Sequence, residues 1–291
     1  MLQFTTIAEQ RAWSRSQQRA GKTIAFVPTM GALHAGHISL VAQAKSAADV
    51  VVASIFVNPT QFDNPEDLGA YPRTLEADLA KLTAAGVDAV YLPTVGELYP
   101  DGYCTFVEMV GPLTDKLCAV ARPGHFRGVC TVVLKLFGAV LPDIAIFGEK
   151  DLQQVLILSR MATDLNLPVE VRVGATLRDS DGLAMSSRNA RLSPASRAKA
   201  LGLPRGLEMA NRAFKEGEHS SMKLIELVAN DLLIHEGVEL DYCDVIKLAG
   251  FKEIENADDG CVLAAAAFVD GVRLIDHVYL GRDTLPVSIE E

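Results

Sequence analysis

The sequence predicts an α/β protein of two domains. In the first half of the chain, apolar runs rich in β-forming residues alternate with segments of helical period. These runs are continuously apolar, which is typical of parallel strands covered by helices on both faces. After about residue 176, two long helical patterns come first and short strands follow. We therefore predict a doubly wound, Rossmann-like parallel sheet domain over residues 1–176 and a smaller α+β domain over residues 177–291.

Each element can be placed in turn from its pattern. In the first domain, the predicted order is strand 23–27, helix 37–48, strand 50–57, helix 75–85, strand 89–92, strand 144–147, helix 153–166 and strand 169–173. In the second domain, it is helix 194–215, helix 221–235 and strands 242–248, 261–269 and 272–276. The pair Asp270-Gly271 stands between two apolar runs, which indicates a two-residue hairpin turn.

Composition limits the classes of partner. The chain has 291 residues, 49% of them hydrophobic, and a net charge of −10. This charge argues against non-specific binding to nucleic acid or to an anionic membrane, so small molecules are the expected partners. No window approaches the roughly 20 apolar residues that span a bilayer, and residues 1–13 contain no apolar signal segment. We therefore expect a cytoplasmic location.

Cysteine usage supports that location. The five cysteines are odd in number, widely spaced and without a CxxC pair. The pattern indicates neither a disulfide framework nor a zinc site, and we expect reduced, mostly buried thiols.

The most informative motif lies between the strand at 23–27 and the helix after it. Residues 28–37 read Pro-Thr-Met-Gly-Ala-Leu-His-Ala-Gly-His, in which His34 and His37 stand three residues apart. Such a pair shares one helix face, and a helix N-terminus offers free N–H groups to a triphosphate. The pattern suggests ATP chemistry, although two polar residues that cap a turn would give the same spacing.

A second motif, Phe-Val-Asn-Pro-Thr-Gln-Phe at residues 56–62, closes the next strand. Ligands of open α/β sheets bind outside the carboxyl ends of the strands, where both motifs should lie. The amides of Asn58 and Gln61 can donate and accept hydrogen bonds, which suits a substrate with hydroxyl and carboxylate groups. An Asn-Pro turn without a ligand is the alternative.

Charged residues follow a third strand at residues 147–154, Phe-Gly-Glu-Lys-Asp-Leu-Gln-Gln. Lys150 could neutralise phosphate oxygens, and Asp151 could hold Mg²⁺ directly or through water. A surface Lys-Asp pair is the alternative.

Two further segments combine glycine with basic residues. In Ala-Met-Ser-Ser-Arg-Asn, residues 184–189, two hydroxyls beside a guanidinium could bind phosphate, and Gly182 makes a closing loop plausible. This segment could equally be a helix-capping loop. Residues 122–128, Arg-Pro-Gly-His-Phe-Arg-Gly, form a glycine-rich basic loop with the same two interpretations.

Taken together in this order, and with Tyr-Pro-Arg-Thr at residues 71–74, these motifs closely resemble the pantothenate synthetases over nearly the full length. That family has a class I nucleotidyltransferase-like fold. The resemblance implies ATP- and Mg²⁺-dependent ligation of pantoate to β-alanine through a pantoyl-adenylate intermediate, with release of AMP and pyrophosphate. It also implies a homodimer and a role for residues 177–291 as a lid.

The resemblance also implies roles for individual residues. His37, as proton donor, and His34, Lys150 and Arg188 would be catalytic. The ATP-binding residues would be Met30, Gly31, Ala32, Leu33, His34, Ala35, Gly36, His37, Gly148, Glu149, Lys150, Asp151, Leu177, Met185, Ser186, Ser187 and Arg188. Pantoate and β-alanine would be bound by Gln61, Gln154, Asn58 and Met30. Asp151 is the expected Mg²⁺ partner and Asp78 a weaker candidate.

Two other functions compete with this one. A nucleotidyltransferase that transfers AMP or CMP to a phosphorylated acceptor would need basic residues where Asn58, Gln61 and Gln154 offer neutral amides. A non-catalytic nucleotide-binding module would tolerate loss of His37 or Lys150, and both residues are present.

Overall fold

A computed structural model describes residues 1–282. The chain forms two compact units. The first comprises Met1–Val110 and Arg122–Thr176, and the second comprises Gly111–Ala121 and the described residues from Leu177 onward.

The first unit is an α/β structure with one sheet. Its elements are β1 (Leu2–Phe4), α1 (Ile7–Arg19), β2 (Ile24–Thr29), α2 (Ala35–Ala47), β3 (Val50–Ile55), α3 (Pro65–Ala70), α4 (Leu75–Ala84), β4 (Ala89–Tyr91), α5 (Val95–Leu98), α7 (His125–Val140), β5 (Ile144–Gly148), α8 (Leu152–Asp164) and β6 (Glu170–Gly174). The second unit contains α6 (Cys118–Ala121), α9 (Pro194–Ala200), α10 (Gly202–Lys215), α11 (Ser221–Leu233), β7 (Val238–Lys247), β8 (Lys252–Glu253), β9 (Cys261–Val269) and β10 (Val272–Tyr279).

The sheet of the first unit confirms the predicted doubly wound class. Its strand order is β1-β4-β3-β2-β5-β6, and every pair is parallel. The chain runs from β2 outward through β3 and β4, then returns to place β5 on the other side of β2. The order therefore reverses between β2 and β5, which is the switch point where open α/β sheets bind ligands. Residues 24–27 of β2 are fully buried, as a central strand requires.

The second unit confirms the predicted smaller α+β structure. Its sheet is antiparallel in the order β10-β9-β7-β8, and α10, α11 and the sheet enclose one apolar core. The hairpin predicted at Asp270-Gly271 is confirmed, because Val269 pairs with Val272 and both turn residues have positive φ.

The structure differs from the sequence-based predictions at several elements. The helix predicted over 194–215 is interrupted at Leu201, since Pro204 has no N–H to donate to the carbonyl of residue 200. The elements β1 and α1 were not predicted, and α1 buries polar Gln10 and Ser14 instead of an apolar stripe. The long helix α7 was also missed, and it begins inside the basic segment 122–128.

Candidate active site

Three of the motifs follow strands that are neighbours in the sheet. Residues 30–37 follow β2, residues 56–62 follow β3 and residues 149–154 follow β5. The strand β2 pairs in parallel with both β3 and β5. The three motifs therefore meet at the same carboxyl edge, with the switch point between the first and the third.

The loop after β2 has a backbone that its sequence specifically allows. Gly31 has a φ of +81°, and an added Cβ would lie 3.1 Å from Ile55 Cγ2 and 3.2 Å from Asp78 Oδ2. Glycine adopts this left-handed conformation at little cost, whereas other residues are strained there. Ala32 also has a positive φ, of 50°, so this strained stretch needs support from its surroundings.

That support comes from α4. Asp78 is fully buried, and its two carboxylate oxygens accept hydrogen bonds from the backbone N–H groups of Ala32 and Leu33, each at 2.8 Å. Thr74 Oγ1 donates to the same carboxylate at 3.1 Å. Asp78, the weaker candidate for a Mg²⁺ ligand, is therefore the anchor of this loop.

Three more hydrogen bonds hold the loop in place. Lys81 Nζ donates to the carbonyl of Leu33. Thr29 Oγ1 donates to the carbonyl of Ser54 at 2.7 Å and accepts from the N–H of Gly31 at 3.2 Å. The loop is thus tied to both α4 and β3 before any ligand is considered.

The two histidines lie at the start of α2, which explains their spacing. His34 is the N-cap, and Ala35, Gly36 and His37 form the first turn. The ring centroids of His34 and His37 are 4.1 Å apart. His37 Nδ1 accepts a hydrogen bond from the backbone N–H of His34 at 3.2 Å, so a neutral His37 carries its proton on Nε2.

Electrostatics keep His37 neutral. Burial, followed by the neighbouring His34, lowers the pKa of His37 to about 3. Asp151 opposes this shift in pKa, and Lys150 and Lys81 add to it. These interactions also bring the motif after β2 into the electrostatic environment of the motif after β5.

The charged motif after β5 forms a single 3-10 turn, Glu149–Asp151, that leads into α8. Gly148 is the last residue of β5. Lys150 Nζ lies 3.8 Å from Asp151 Oδ1, and the Asp151 side chain is 48% exposed. Gln154 is half-buried in the first turn of α8, beside the buried Gln153.

The motif after β3 forms a compact hydrogen-bonded unit. Asn58 caps the turn Pro59–Gln61, and its Oδ1 accepts from the N–H of Thr60 at 3.3 Å. Its Nδ2 donates to Gln61 Oε1 at 2.9 Å and to the Gly128 carbonyl at 3.2 Å. Gln61 Nε2 in turn donates to Met30 Sδ at 3.1 Å. The structure thus brings the side chains of Asn58, Gln61 and Met30 together.

The basic segment 122–128 has a clear structural task here. Both Arg122 and His125 approach the backbone carbonyl of Gln61, Arg122 Nη2 at 3.1 Å and His125 Nδ1 at 2.7 Å. Arg122 Nε also donates to Asp63 at 2.8 Å. At the start of α7, a Cβ on Gly128 would lie 2.2 Å from the Thr60 carbonyl oxygen, so only glycine allows this close approach.

Within the second unit, residues 177–188 form a tied hairpin. The N–H of Met185 donates to the Leu177 carbonyl at 2.9 Å, and Arg178 forms a two-pronged ion pair with the buried Asp276, at 2.6 and 3.0 Å. Ser186 Oγ accepts from the N–H of Arg188 at 3.3 Å and caps the turn Ser187–Arg191. The capping interpretation of this segment is therefore correct, and it leaves a binding role open.

Several residues that hold these segments in place were not identified from the sequence. Lys81, Tyr99 and Asp276 act through hydrogen bonds to residues distant in the chain, for which a single sequence holds no local signal. The Asp78 anchor had a partial signal, because Asp78 lies one helical turn after Thr74 in the motif at 71–74.

No group of three or more His, Cys, Asp or Glu side chains within residues 1–282 is arranged to hold a metal ion. The same part of the chain contains no helix long and apolar enough to cross a bilayer. All five cysteines are free thiols, four of them buried, as expected.

The fold and the site together define a Rossmann-type α/β protein with polar residues from three adjacent strands gathered at the switch point. The family model described as pantoate-beta-alanine ligase matches residues 2–279. The chain belongs to this family, and it is an enzyme of the ligase class.

Individual relatives agree with the family match. The pantothenate synthetase of Pelotomaculum thermopropionicum is 48% identical over 282 residues, which cover 97% of this chain and 100% of that protein. A crystal structure of pantothenate synthetase from Thermus thermophilus has a TM-score of 0.90 at 41% identity, covering 96% and 99% of the two chains. The pantoate-beta-alanine ligase of Francisella tularensis, complexed with beta-gamma ATP and β-alanine, has a TM-score of 0.82 at 33% identity, covering 97% and 98%.

Proposed function

We propose that this enzyme joins pantoate to β-alanine at the expense of ATP, through a pantoyl-adenylate intermediate. Family membership supports the overall reaction, and the Francisella tularensis relative was crystallised with both an ATP-type ligand and β-alanine. The observation that carries the proposal is the loop at residues 30–37. Its neutral His37, with Nδ1 hydrogen-bonded to the backbone, stands at a helix N-terminus and interacts electrostatically with Lys150 and Asp151.

The chemistry requires activation of a carboxylate, which is a poor acyl donor. In the first step, a pantoate carboxylate oxygen attacks the α-phosphorus of ATP, an O–P bond forms and pyrophosphate leaves. In the second step, the β-alanine amine attacks the pantoyl carbonyl carbon, the C–O bond to AMP breaks and the amine loses a proton. Neither step needs an oxidant, so positioning and charge neutralisation are the main tasks of the protein.

The proposed phosphate site combines three kinds of donor. These are the N-terminal N–H groups of α2, the Nε2–H of His37 and the Lys150 ammonium group. The charge that develops toward pyrophosphate would be stabilised by donors that are already in place. From the motif resemblance alone, we propose that Leu177, Met185, Ser186, Ser187 and Arg188 also contact ATP, as part of a lid.

The proposed pantoate pocket rests on neutral amides. Gln61 and Gln154 would donate hydrogen bonds to pantoate oxygens, and Met30 would pack against the apolar carbon that carries two methyl groups. Met30 Sδ already contacts Gln61 Nε2, which supports their membership in one pocket. These amides carry no positive charge, so a phosphorylated acceptor would have no cationic partner in this pocket.

Mg²⁺ is proposed as the metal, with Asp151 as its protein ligand. Mg²⁺ in nucleotide sites usually keeps several waters and takes one or two carboxylates together with phosphates, so a cage of three protein ligands is not required. The half-exposed Asp151 fits that role, whereas the fully buried Asp78 does not. The ion would supply neutralisation of phosphate charge.

AMP formation from ATP tests the proposal. With pantoate and β-alanine together, we expect continuous formation of AMP and pyrophosphate. With pantoate alone, we expect about one pyrophosphate per active site, because the adenylate remains bound. Lactate and 3-hydroxybutyrate serve as control carboxylates and should give far slower AMP formation. Formation of ADP and phosphate, or equal rates with the control acids, would contradict the proposal.

A homodimer in the cytoplasm is proposed for the assembled enzyme. The family resemblance supports the dimer, and the five free thiols fit a reducing compartment. Sedimentation equilibrium should give twice the 31.3 kDa of one chain, and a mass of one chain at micromolar concentration would contradict the dimer.

A further inference from the structure

We infer that Tyr99 and Asn58 are positioning residues that hold the Gln61 side-chain amide with its nitrogen turned toward the pantoate pocket. This inference rests on the proposed function, in which Gln61 binds pantoate. It gives Asn58 a different task from the direct substrate contact that the resemblance implies, and it gives a role to Tyr99, which no motif identified.

The orientation of the Asn58 amide is fixed by two backbone groups. A backbone N–H can only donate, and the N–H of Thr60 lies 3.3 Å from one side-chain atom of Asn58. A backbone carbonyl can only accept, and the Gly128 carbonyl lies 3.2 Å from the other. The atom that faces Thr60 must therefore be Oδ1 and the atom that faces Gly128 must be Nδ2.

Tyr99 reinforces this orientation. Its hydroxyl lies 2.9 Å from Asn58 Oδ1, and since that oxygen can only accept, Tyr99 donates. Burial raises the pKa of Tyr99, so the hydroxyl keeps its proton. The Tyr99 ring is itself held between Phe56, at 6.4 Å between centroids, and Tyr103, at 5.1 Å.

Asn58 in turn fixes the orientation of the Gln61 side-chain amide. Asn58 Nδ2 donates at 2.9 Å, so the Gln61 atom that receives this hydrogen bond must be Oε1. Asn58 is only 1% exposed and all the contacts described are internal, so it cannot reach a ligand without giving them up. Gln61 Nε2 has two N–H groups, of which one donates to Met30 Sδ, and the second is left to donate to pantoate.

The reversed amide would be harmful. If Gln61 turned over, Oε1 would face the carboxylate and hydroxyl oxygens of pantoate, and two acceptors would be opposed. The chain from Tyr99 through Asn58 prevents this, because the reversed amide would also place an NH₂ group against the donating Nδ2 of Asn58.

Tyr99→Phe tests the first link and removes a single oxygen atom. We expect the KM for pantoate to rise about fivefold, the effect of one net hydrogen bond, with the KM for ATP changed by less than about twofold. Tyr103→Phe is the matched control, because it removes the hydroxyl of the neighbouring ring, which packs edge-to-face against Tyr99, and it should leave both constants unchanged. An unchanged pantoate KM in Tyr99→Phe, or equal effects of the two variants, would overturn the inference.

Asn58→Asp and Asn58→Ala test the second link. The aspartate can accept but not donate, so it should turn the Gln61 amide over and raise the pantoate KM by about 100-fold or more. Alanine leaves the amide free to choose either orientation, so its effect should be several times smaller, although it removes more atoms. An effect of alanine equal to or larger than that of aspartate would overturn the inference.

Gln61→Ala separates failure of this inference from failure of the proposed function. If Gln61→Ala leaves the pantoate KM unchanged, the pantoate role of Gln61 is wrong and the inference falls with it. If Gln61→Ala raises that KM but Tyr99→Phe and Asn58→Asp do not, the inference alone is wrong.

Discussion

At the scale of single residues, the protonation state of His37 is the most consequential result. The sequence predicts a histidine pair at a helix start, but it cannot say which ring nitrogen carries a proton. The hydrogen bond from the His34 backbone N–H to His37 Nδ1 answers this question, since it leaves Nε2–H as the donor. A neutral donor suits ATP binding, because a buried neutral ring does not carry the free-energy cost of moving a charge out of water.

Nuclear magnetic resonance of the histidine rings measures this state directly. Because burial and His34 lower the pKa of His37 to about 3, we predict a neutral ring from pH 9 down to about pH 4 in the ligand-free enzyme. Long-range nitrogen-proton spectra should show the Nε2–H form throughout. A nucleotide triphosphate brings negative charge and should raise this pKa. Titration of the free enzyme near pH 6.5, or an Nδ1–H ring, would refute the assignment.

Removal of the same ring tests its role in the reaction. His37→Ala deletes a donor aimed at the phosphates, and loss of one such donor typically costs about 100- to 1,000-fold in rate. We therefore predict that pyrophosphate release in a single turnover with pantoate slows by about that factor. His219→Ala, in the second unit, is the control and should keep the normal rate. Near-normal release by His37→Ala would remove this residue from the mechanism.

At the scale of elements, α4 and the loop after β2 behave as one structure. The Asp78 carboxylate satisfies two backbone N–H groups of a loop with two successive residues at positive φ. The sequence indicates both α4 and the loop, yet it gives no reason to pair them. Their contact depends on the way β2, β3 and β4 lie side by side, which only the folded sheet establishes.

Asp78→Ala should destabilise the protein as well as the site. It leaves the N–H groups of Ala32 and Leu33 without their acceptors, at about 1–3 kcal/mol each, so we predict a loss of about 2–6 kcal/mol in the free energy of unfolding in urea. Asp78→Asn keeps one acceptor and should lose about half as much. Addition of 5 mM Mg²⁺ should change none of these values in the ligand-free enzyme. Equal stability of Asp78→Ala and the wild type would refute the anchor.

Gly31→Ala tests the shape of the same loop. The left-handed conformation alone should cost about 1–2 kcal/mol, and contacts of the new Cβ near 3.1 Å with Ile55 and 3.2 Å with Asp78 should add to that cost. Gly21→Ala is a matched control, because its φ is +74° and nothing lies within 4 Å of a new Cβ. We predict that Gly31→Ala loses more stability than Gly21→Ala and also weakens ATP binding. Equal losses and unchanged ATP affinity would contradict this.

Other elements show where sequence patterns stop being informative. The strands β2, β3 and β5 were predicted well because they are buried on both faces and continuously apolar. The helix α7 was missed, although 12 of its residues are buried, because its first turn contains the motif that also suggests a basic loop. Boundaries such as the break at Leu201 depend on one proline inside a long helical pattern.

At the scale of the whole molecule, the sequence predicted the class of both units, and the two units of the structure differ from the predicted ranges only at residues 111–121. Residues 111–121 pack with the second unit although they lie between two stretches of the first. A division of the chain at a single point cannot describe units that are each formed from two separate stretches. Three of the motifs were recognised because each follows a strand end, whereas the residues that hold them, such as Tyr99 and Asp78, are supplied by distant segments.

The proposed attack of the pantoate carboxylate on the α-phosphorus of ATP is tested most directly by an oxygen-isotope experiment. Pantoate labelled with ¹⁸O in its carboxylate is turned over with ATP and β-alanine, and the masses of the products are measured by mass spectrometry. We predict that AMP carries one ¹⁸O atom and pyrophosphate carries none, because the carboxylate oxygen stays on the α-phosphorus when the amide forms. Label in pyrophosphate or phosphate, or unlabelled AMP, would contradict the adenylate mechanism.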